Sequence, residues 1–260
     1  PINSDWDKIY GLIMVGEGGH FILDSVFKYE CISAYKFLKE IGCTDNDIEL
    51  LYNNDIAIDG INVNDRYMNS YELIESINHL KSVVDSNDIL FVFYVGHGYL
   101  DEMNNAYFWF NEDFEMSAGF FRYLLNSIDS KVNISIISSC YSGDIAKEIA
   151  DQKNITISET SPGKVLASHF FEEKIGNIGL IKNLYNTIKE PEKVDKNMDG
   201  KISLKEIFTE TCNRDPKSRS FGIGPIKALF YFKTTPHLFS YIDLDSLSTV
   251  SYTHLTLPTK

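Results

Sequence analysis

The chain is predicted to fold as an α/β protein, a three-layer αβα sandwich with helices on both faces of a mostly parallel sheet of about six strands. Short, continuously apolar runs alternate with stretches of helical spacing, and the two best runs, Ile9–Val15 and Ile89–Val95, have no polar alternation. A strand buried on both faces by crossover helices reads this way. At 260 residues, 43% hydrophobic and 23% charged, the chain is long enough for one large core and too apolar for wholesale disorder.

Ile9–Val15 (IYGLIMV) ends at Gly16-Glu17-Gly18-Gly19, a strand and its turn. Residues 27–41 carry Cys31, Ala34, Tyr35, Leu38 and Ile41 on one helical face and stop at Gly42. Ile48–Tyr52 is the second strand. A helix follows over 69–84 with Leu73, Ile74, Ile77 and Leu80 inward. Ile89–Val95 (ILFVFYV) is the third strand, 120–128 a helix, and Val132–Ser138 (VNISIIS) the fourth strand. A helix opens over 144–152, a fifth strand is expected over 164–169, helices over 182–189 and 204–212, and final strands over 228–233 and 237–241. Residues 151–163 read as a polar, exposed loop in which Asn154-Ile155-Thr156 forms a glycosylation sequon. Residues 1–248 are taken as a single domain. Residues 249–260 are taken as a tail outside it, because 251–260 (SYTHLTLPTK) lack any helix or strand period and resemble translated adaptor sequence. The opening Pro1, in place of Met, predicts a truncated N-terminus.

Net charge is −13 and no basic patch offsets it, which disfavours binding to a phosphate backbone; no nucleic acid partner is expected. The longest apolar run, Ile89–Val95, falls far short of the roughly 20 residues of a membrane span. The four cysteines are scattered with no CxxC pair, which argues against a structural zinc site. Phe21 stands where a GxGxxG loop starting at Gly16 needs its third glycine, so a dinucleotide loop is excluded. Ser138, Ser139 and Ser142 are not set in a GxSxG elbow.

In such folds reacting groups gather at the carboxyl ends of the strands. The third strand ends Val95-Gly96-His97-Gly98, and the fourth ends Ser138-Ser139-Cys140-Tyr141-Ser142-Gly143. Flanking glycines leave the His97 ring accessible, and histidine titrates near neutrality. Cys140 precedes a turn into a helix, where the helix N-terminus favours a thiolate. Each residue alone has an ordinary reading, a loop histidine or a small buried thiol. Adjacent strands would bring the two together as nucleophile and base for acyl transfer.

This pairing, Gly-His-Gly after one apolar strand and Ser-Cys-Tyr-Ser-Gly after another, resembles the caspase-like cysteine peptidases, in particular the legumain-like and bacterial branch. Leu12-Ile13-Met14-Val15-Gly16-Glu17-Gly18-Gly19 resembles that branch's first strand and loop, and the likeness runs over residues 9–241. The resemblance implies a cysteine endopeptidase acting on a peptide or protein substrate. It implies Cys140 as nucleophile, His97 as acid/base, and the backbone N–H groups of Gly98 and Cys140 as an oxyanion hole. It draws the specificity pocket from the fifth strand and the loop after it, here Ser168, Glu172 and Glu173; the glutamates either bind a basic side chain or are solvated loop charges. Ser139 and Val26 or Phe27 depart from the legumain pattern, the latter standing where legumains carry a basic residue that selects Asn. Rival readings are a transamidase or ligase using the same acyl-enzyme, and a catalytically silent calcium-responsive binding module.

A second motif spans residues 195–206. Asp195, Asn197 and Asp199 occupy positions 1, 3 and 5 of a calcium loop, Gly200 position 6, Ile202 position 8 and Glu206 position 12. Lys201 would supply its carbonyl, and Ser203 a ligand directly or through water. One Ca²⁺ is therefore expected, in a single EF-hand-like loop whose entering helix is interrupted by Pro191. The alternative is an Asp/Asn/Gly turn that caps the following helix without metal.

Overall fold

Continuous apolar runs with helix-compatible spacers have one stable arrangement, a parallel sheet sealed on both sides. The computed structural model adopts it and describes residues 7–19, 21–52, 65–164, 179–214, 219–220, 231–232, 236–241 and 248–251. In chain order the elements are β1 (Ile9–Val15), α1 (Phe21–Glu40), β2 (Ile48–Tyr52), β3 (Asp65–Arg66), α2 (Ser70–Val83), β4 (Ile89–Val95), β5 (His97–Leu100), β6 (Ala106–Asn111), β7 (Phe114–Ser117), α3 (Ala118–Asn126), β8 (Val132–Ser138), α4 (Ser142–Ile149), β9 (Asn154–Ser158), α5 (Leu180–Ile188), α6 (Pro191–Val194), β10 (Lys201–Ser203), α7 (Leu204–Arg214), β11 (Arg219–Ser220), β12 (Tyr231–Phe232), β13 (His237–Phe239) and β14 (Ser248–Ser251).

The main sheet runs β13-β9-β8-β4-β1-β2-β3. Every pairing in it is parallel except β13 on β9. The mostly parallel three-layer sandwich is thus present, with seven strands of which β3 has two residues. β1, β4 and β8 are buried along their whole length. Their side chains alternate between two cores. Ile13, Phe93 and Ile136 meet α1, α5 and α7 through Phe37, Leu184 and Ile207. Leu12, Tyr94 and Ile137 meet α2, α3 and α4 through Leu73, Phe121 and Ile145.

Helix ends follow local capping chemistry. Asn69 accepts the Glu72 N–H at 2.9 Å and so starts α2 at Ser70. α1 begins earlier than expected, at Phe21, and terminates before Gly42, whose φ of +109° closes the helix. Pro191 breaks the chain between α5 and α6, as expected, and sits at the first position of α6.

The structure departs from or adds to the sequence reading in three places. The fifth strand is β9, inside the stretch read as an exposed loop; of the expected 164–169 strand only Lys164 is described, and it is not in a strand. Asn154, Thr156 and Ser158 look like solvent-facing alternation, yet all are buried because α4 and the neighbouring loops cover that face. Their polar groups are satisfied internally: Asn154 accepts from Asn133 at 2.9 Å and donates to Asn126, and Thr156 donates to the Ala146 carbonyl. The Asn154 amide is therefore closed to glycosylation in the folded protein. Second, residues 97–117 form an antiparallel sheet, β5-β6-β7, which puts His97 at the start of a strand. Third, residues 249–251 belong to β14, which pairs with β10, so the expected tail boundary at 249 falls within a strand; 252–260 lie outside the described residues. The expected 228–233 strand is described only as β12, paired with β11, and the one over 237–241 as β13.

Phe93 is fully buried in the central strand, 5.6 Å from the Phe37 ring. Phe93→Ala is expected to destabilise the protein by about 3–5 kcal/mol, read as a lower urea midpoint.

Candidate active site

The site begins with register. β4 and β8 pair so that Val95 lies opposite Ser138, and the ladder continues one step beyond, with the Gly96 N–H donating to the Ser138 carbonyl at 3.2 Å. His97 and Cys140 each stand two residues past these paired tips. The two segments then touch: a Cβ at Gly98 would lie 2.3 Å from the Cys140 carbonyl oxygen and 3.0 Å from Ser139 Oγ. Only glycine permits this approach. Gly98 is thereby set against the Cys140 backbone, with His97 as its chain neighbour.

The His97 ring is half-buried and held edge-on by two aromatic rings, Phe27 of α1 at 5.6 Å and Trp109 of β6 at 5.4 Å. Its Nε2 stands 3.5 Å from the Gly18 carbonyl oxygen, at the limit of hydrogen-bond reach. The Gly16–Gly18 turn is itself fixed. Gly16 N–H donates to Val95, Glu17 N–H to Phe110 at 2.7 Å, and Gly18 N–H to Asp24 Oδ1 at 2.9 Å.

Cys140 is half-buried at the mouth of α4. The link is Tyr141, a non-glycine residue in the left-handed region at φ 52°, ψ 22°, a conformation that costs of order 1 kcal/mol. Its N–H donates to the Lys164 carbonyl at 2.8 Å. The loop after β9 packs on the start of α4: Thr160 N–H donates to Ser142 Oγ and Gly163 N–H to Asp144 Oδ2. This is a different setting from Cys43, a buried thiol that donates to the Ile9 carbonyl and whose pKa burial pushes up to about 12. Burial also pushes the Tyr94 phenol well above its ordinary range.

Sequence reasoning missed Glu159. It follows β9, is 1% exposed, and accepts the Ser138 hydroxyl at 2.6 Å. Ile134 and Ile136 of β8 and Ile155 and Ile157 of β9 all face the α1 side. Two-residue alternation puts Ser138 and Glu159 on that side too, the side from which Phe27 touches His97. The signal was available in the Ile155-Thr156-Ile157-Ser158-Glu159 alternation once that stretch is read as a strand. Ser168, Glu172 and Glu173 lie outside the described residues.

In the calcium-like loop the oxygens turn inward on the backbone. The Asp195 carboxylate accepts from Asp199 N–H at 3.2 Å and Gly200 N–H at 3.0 Å, and Asp199 Oδ1 from Lys201 N–H. Glu206 accepts from Lys196 N–H and from both Ser203 N–H and Oγ. Gly200 has φ +79° and Ile202 is fully buried. Asn197, Asp199, Ser203 and Glu206 line one open depression. Among the described residues no three His, Cys, Asp or Glu side chains converge as a metal cluster. A Ca²⁺ held here would have to draw on the Asn197 amide, the Lys201 carbonyl and the Ser203 hydroxyl beside the carboxylates.

No protein-family model matches the chain, and no curated protein matches it. Function must therefore be argued from this geometry.

Gly98→Ala forces the two tips apart at backbone atoms. It is expected to cost about 1–3 kcal/mol in a denaturant titration, the range for overpacking a close contact.

Proposed function

We propose that the protein is a cysteine endopeptidase working through Cys140 and His97. The observation that carries this reading is the contact of Gly98 with the Cys140 carbonyl at two paired strand tips. A structural thiol needs no such approach, and Cys43 shows what one looks like in this chain.

The chemistry follows from the roles available. His97 Nε2 stands 3.5 Å from the Gly18 carbonyl oxygen, an acceptor that would favour the tautomer protonated at that nitrogen. His97 removes the thiol proton, and the start of α4 favours the resulting thiolate. Sγ attacks the scissile carbonyl carbon, and the electron pair moves to the carbonyl oxygen. Donors proposed for that oxyanion are the N–H groups of Gly98 and Cys140; one such donor typically contributes about 10²–10³ in rate. The intermediate collapses, the C–N bond breaks, and the imidazolium gives its proton to the leaving amine. A water then loses a proton to His97 and attacks the thioester, releasing the acid and restoring the thiol. An amine in place of that water would give transpeptidation on the same acyl-enzyme.

The loop at 195–206 is proposed to bind one Ca²⁺. Its support is the prearranged carboxylates of Asp195 and Asp199 and the Glu206 carboxylate bridging both ends of the loop. Ion binding there would offset the negative charge of Asp195, Asp199 and Glu206. It acts on stability, because α7, which starts in the loop, belongs to the same core as α1 and α5 through Leu204 and Ile207.

Two measurements test these readings. Cys140→Ala is expected to abolish hydrolysis of a mixed fluorogenic peptide library, and His97→Ala to lower it by about 10²–10⁴-fold, the usual weight of general acid–base catalysis; full turnover in either variant ends the proposal. Saturating Ca²⁺ at about 100 times Kd is expected to add about 2.7 kcal/mol of stability. Asp195→Ala combined with Glu206→Ala removes that rise in melting temperature, and an unchanged rise excludes the loop.

A further inference from the structure

We infer that Tyr94 is the positioning residue of the His97 base: its hydroxyl clamps the first rung of the β5–β6 hairpin and thereby fixes where the imidazole stands. This rests on the Cys140/His97 reading above.

Tyr94 is the last residue but one of β4 and is 1% exposed. Its ring is set edge-on against Phe108 at 4.7 Å and Phe110 at 5.3 Å, in the core facing α2, α3 and α4. From there the hydroxyl reaches the His97 carbonyl at 2.6 Å and the Trp109 carbonyl at 2.8 Å. A phenol has one proton, so it is shared between these two acceptors. His97 and Trp109 are opposite each other in the β5–β6 register, and their rings lie 5.4 Å apart. One buried hydroxyl thus ties together the backbone of the base and the backbone of the residue that packs on its ring.

The chain is shaped around this contact. A Cβ at Gly96 would stand 2.5 Å from the Tyr94 hydroxyl oxygen, so glycine is what lets the strand tip fold back over the phenol. Tyr94 grips the His97 backbone from one side of the sheet, and Phe27 supports the imidazole from the other. Removing the hydroxyl leaves the aromatic packing in place but strips a buried donor from two carbonyls. The hairpin then settles elsewhere, and the ring moves with it. A misplacement of about 1 Å is enough to cost about 100-fold in rate.

The test compares wild type, His97→Ala and Tyr94→Phe. It measures kcat and KM on a fluorogenic peptide, the pH dependence of Cys140 alkylation by iodoacetamide, and the melting temperature. Tyr94→Phe is expected to lower kcat about 10- to 100-fold with KM held within about twofold. Its alkylation curve is expected to move toward that of His97→Ala. Gly96→Ala, which presses a methyl on the same hydroxyl while keeping the phenol, is expected to repeat this pattern. Loss of melting temperature with wild-type kcat and an unmoved alkylation curve overturns the inference and leaves Tyr94 structural. Wild-type and His97→Ala curves that coincide overturn the dyad reading, and this inference with it. A His97-dependent curve that neither Tyr94→Phe nor Gly96→Ala disturbs overturns the inference alone.

Discussion

The register of two parallel strands is the constraint from which the rest follows. Because Val95 pairs with Ser138, His97 and Cys140 each stand two residues past paired strand tips, where Gly98 meets the Cys140 carbonyl. A slip of one residue would turn every β8 side chain to the opposite core. That slip is blocked by the chain itself, since Ile134 and Ile136 fill the α1 side while Ile137 fills the other. The core therefore specifies the site: hydrophobic alternation deep in the sheet decides which residues meet at its edge.

Bringing two backbones together at the tips requires room that side chains would take, and the chain supplies it locally. Gly96 yields to the Tyr94 hydroxyl and Gly98 to the Cys140 carbonyl. The strain sits on the other segment, at Tyr141 in the left-handed region, where the chain turns from strand to helix. That conformation survives because its surroundings are over-determined. The Tyr141 N–H is bonded to Lys164, Ser142 to Thr160, and Asp144 to Gly163. Backbone contacts, rather than burial of these two side chains, hold the arrangement, and His97 and Cys140 both stay half-buried.

Much of this was legible in the residues. β1, β2, β4 and β8 fall on the boundaries read from sequence, because continuous apolar runs bounded by Gly, Asn or Ser have only one reading at that length. The helices were found with ends displaced by up to six residues, since a cap such as Ser117 acts through geometry that spacing does not encode. β9 was missed because its polar half is buried, not solvated. The Asn133, Asn154 and Asn126 amides and the Thr156 hydroxyl satisfy one another or the backbone inside the fold, and composition alone counts such groups as surface. The β5–β6 hairpin was missed because its turn rests on Asp101, whose carboxylate accepts the Met103 and Asn105 N–H groups, with Asn104 at φ 63° and no glycine to mark it. At the candidate site, His97 and Cys140 were visible as motifs. The supports, Tyr94, Phe27, Trp109 and Glu159, were not, because each contributes through a long-range contact.

The calcium-like loop and the strand tips belong to one cooperative body without touching. Ile202, Leu204 and Ile207 sit in the core that also holds Leu184 and Ile188 of α5 and Phe27 of α1. Thr187 and Thr211 join α5 to α7 by a buried hydrogen bond, and Glu30 of α1 accepts the Ile181 N–H at the start of α5. Phe27, one turn before Glu30, is the residue that packs on His97. An ion held in the loop would thus strengthen the layer that supports the imidazole while lying outside the reacting atoms. Such an arrangement would raise the free energy of opening for the whole α1 face. The division is physical: register and backbone contact set where His97 and Cys140 stand, and a filled loop would act only through the layer that keeps that register.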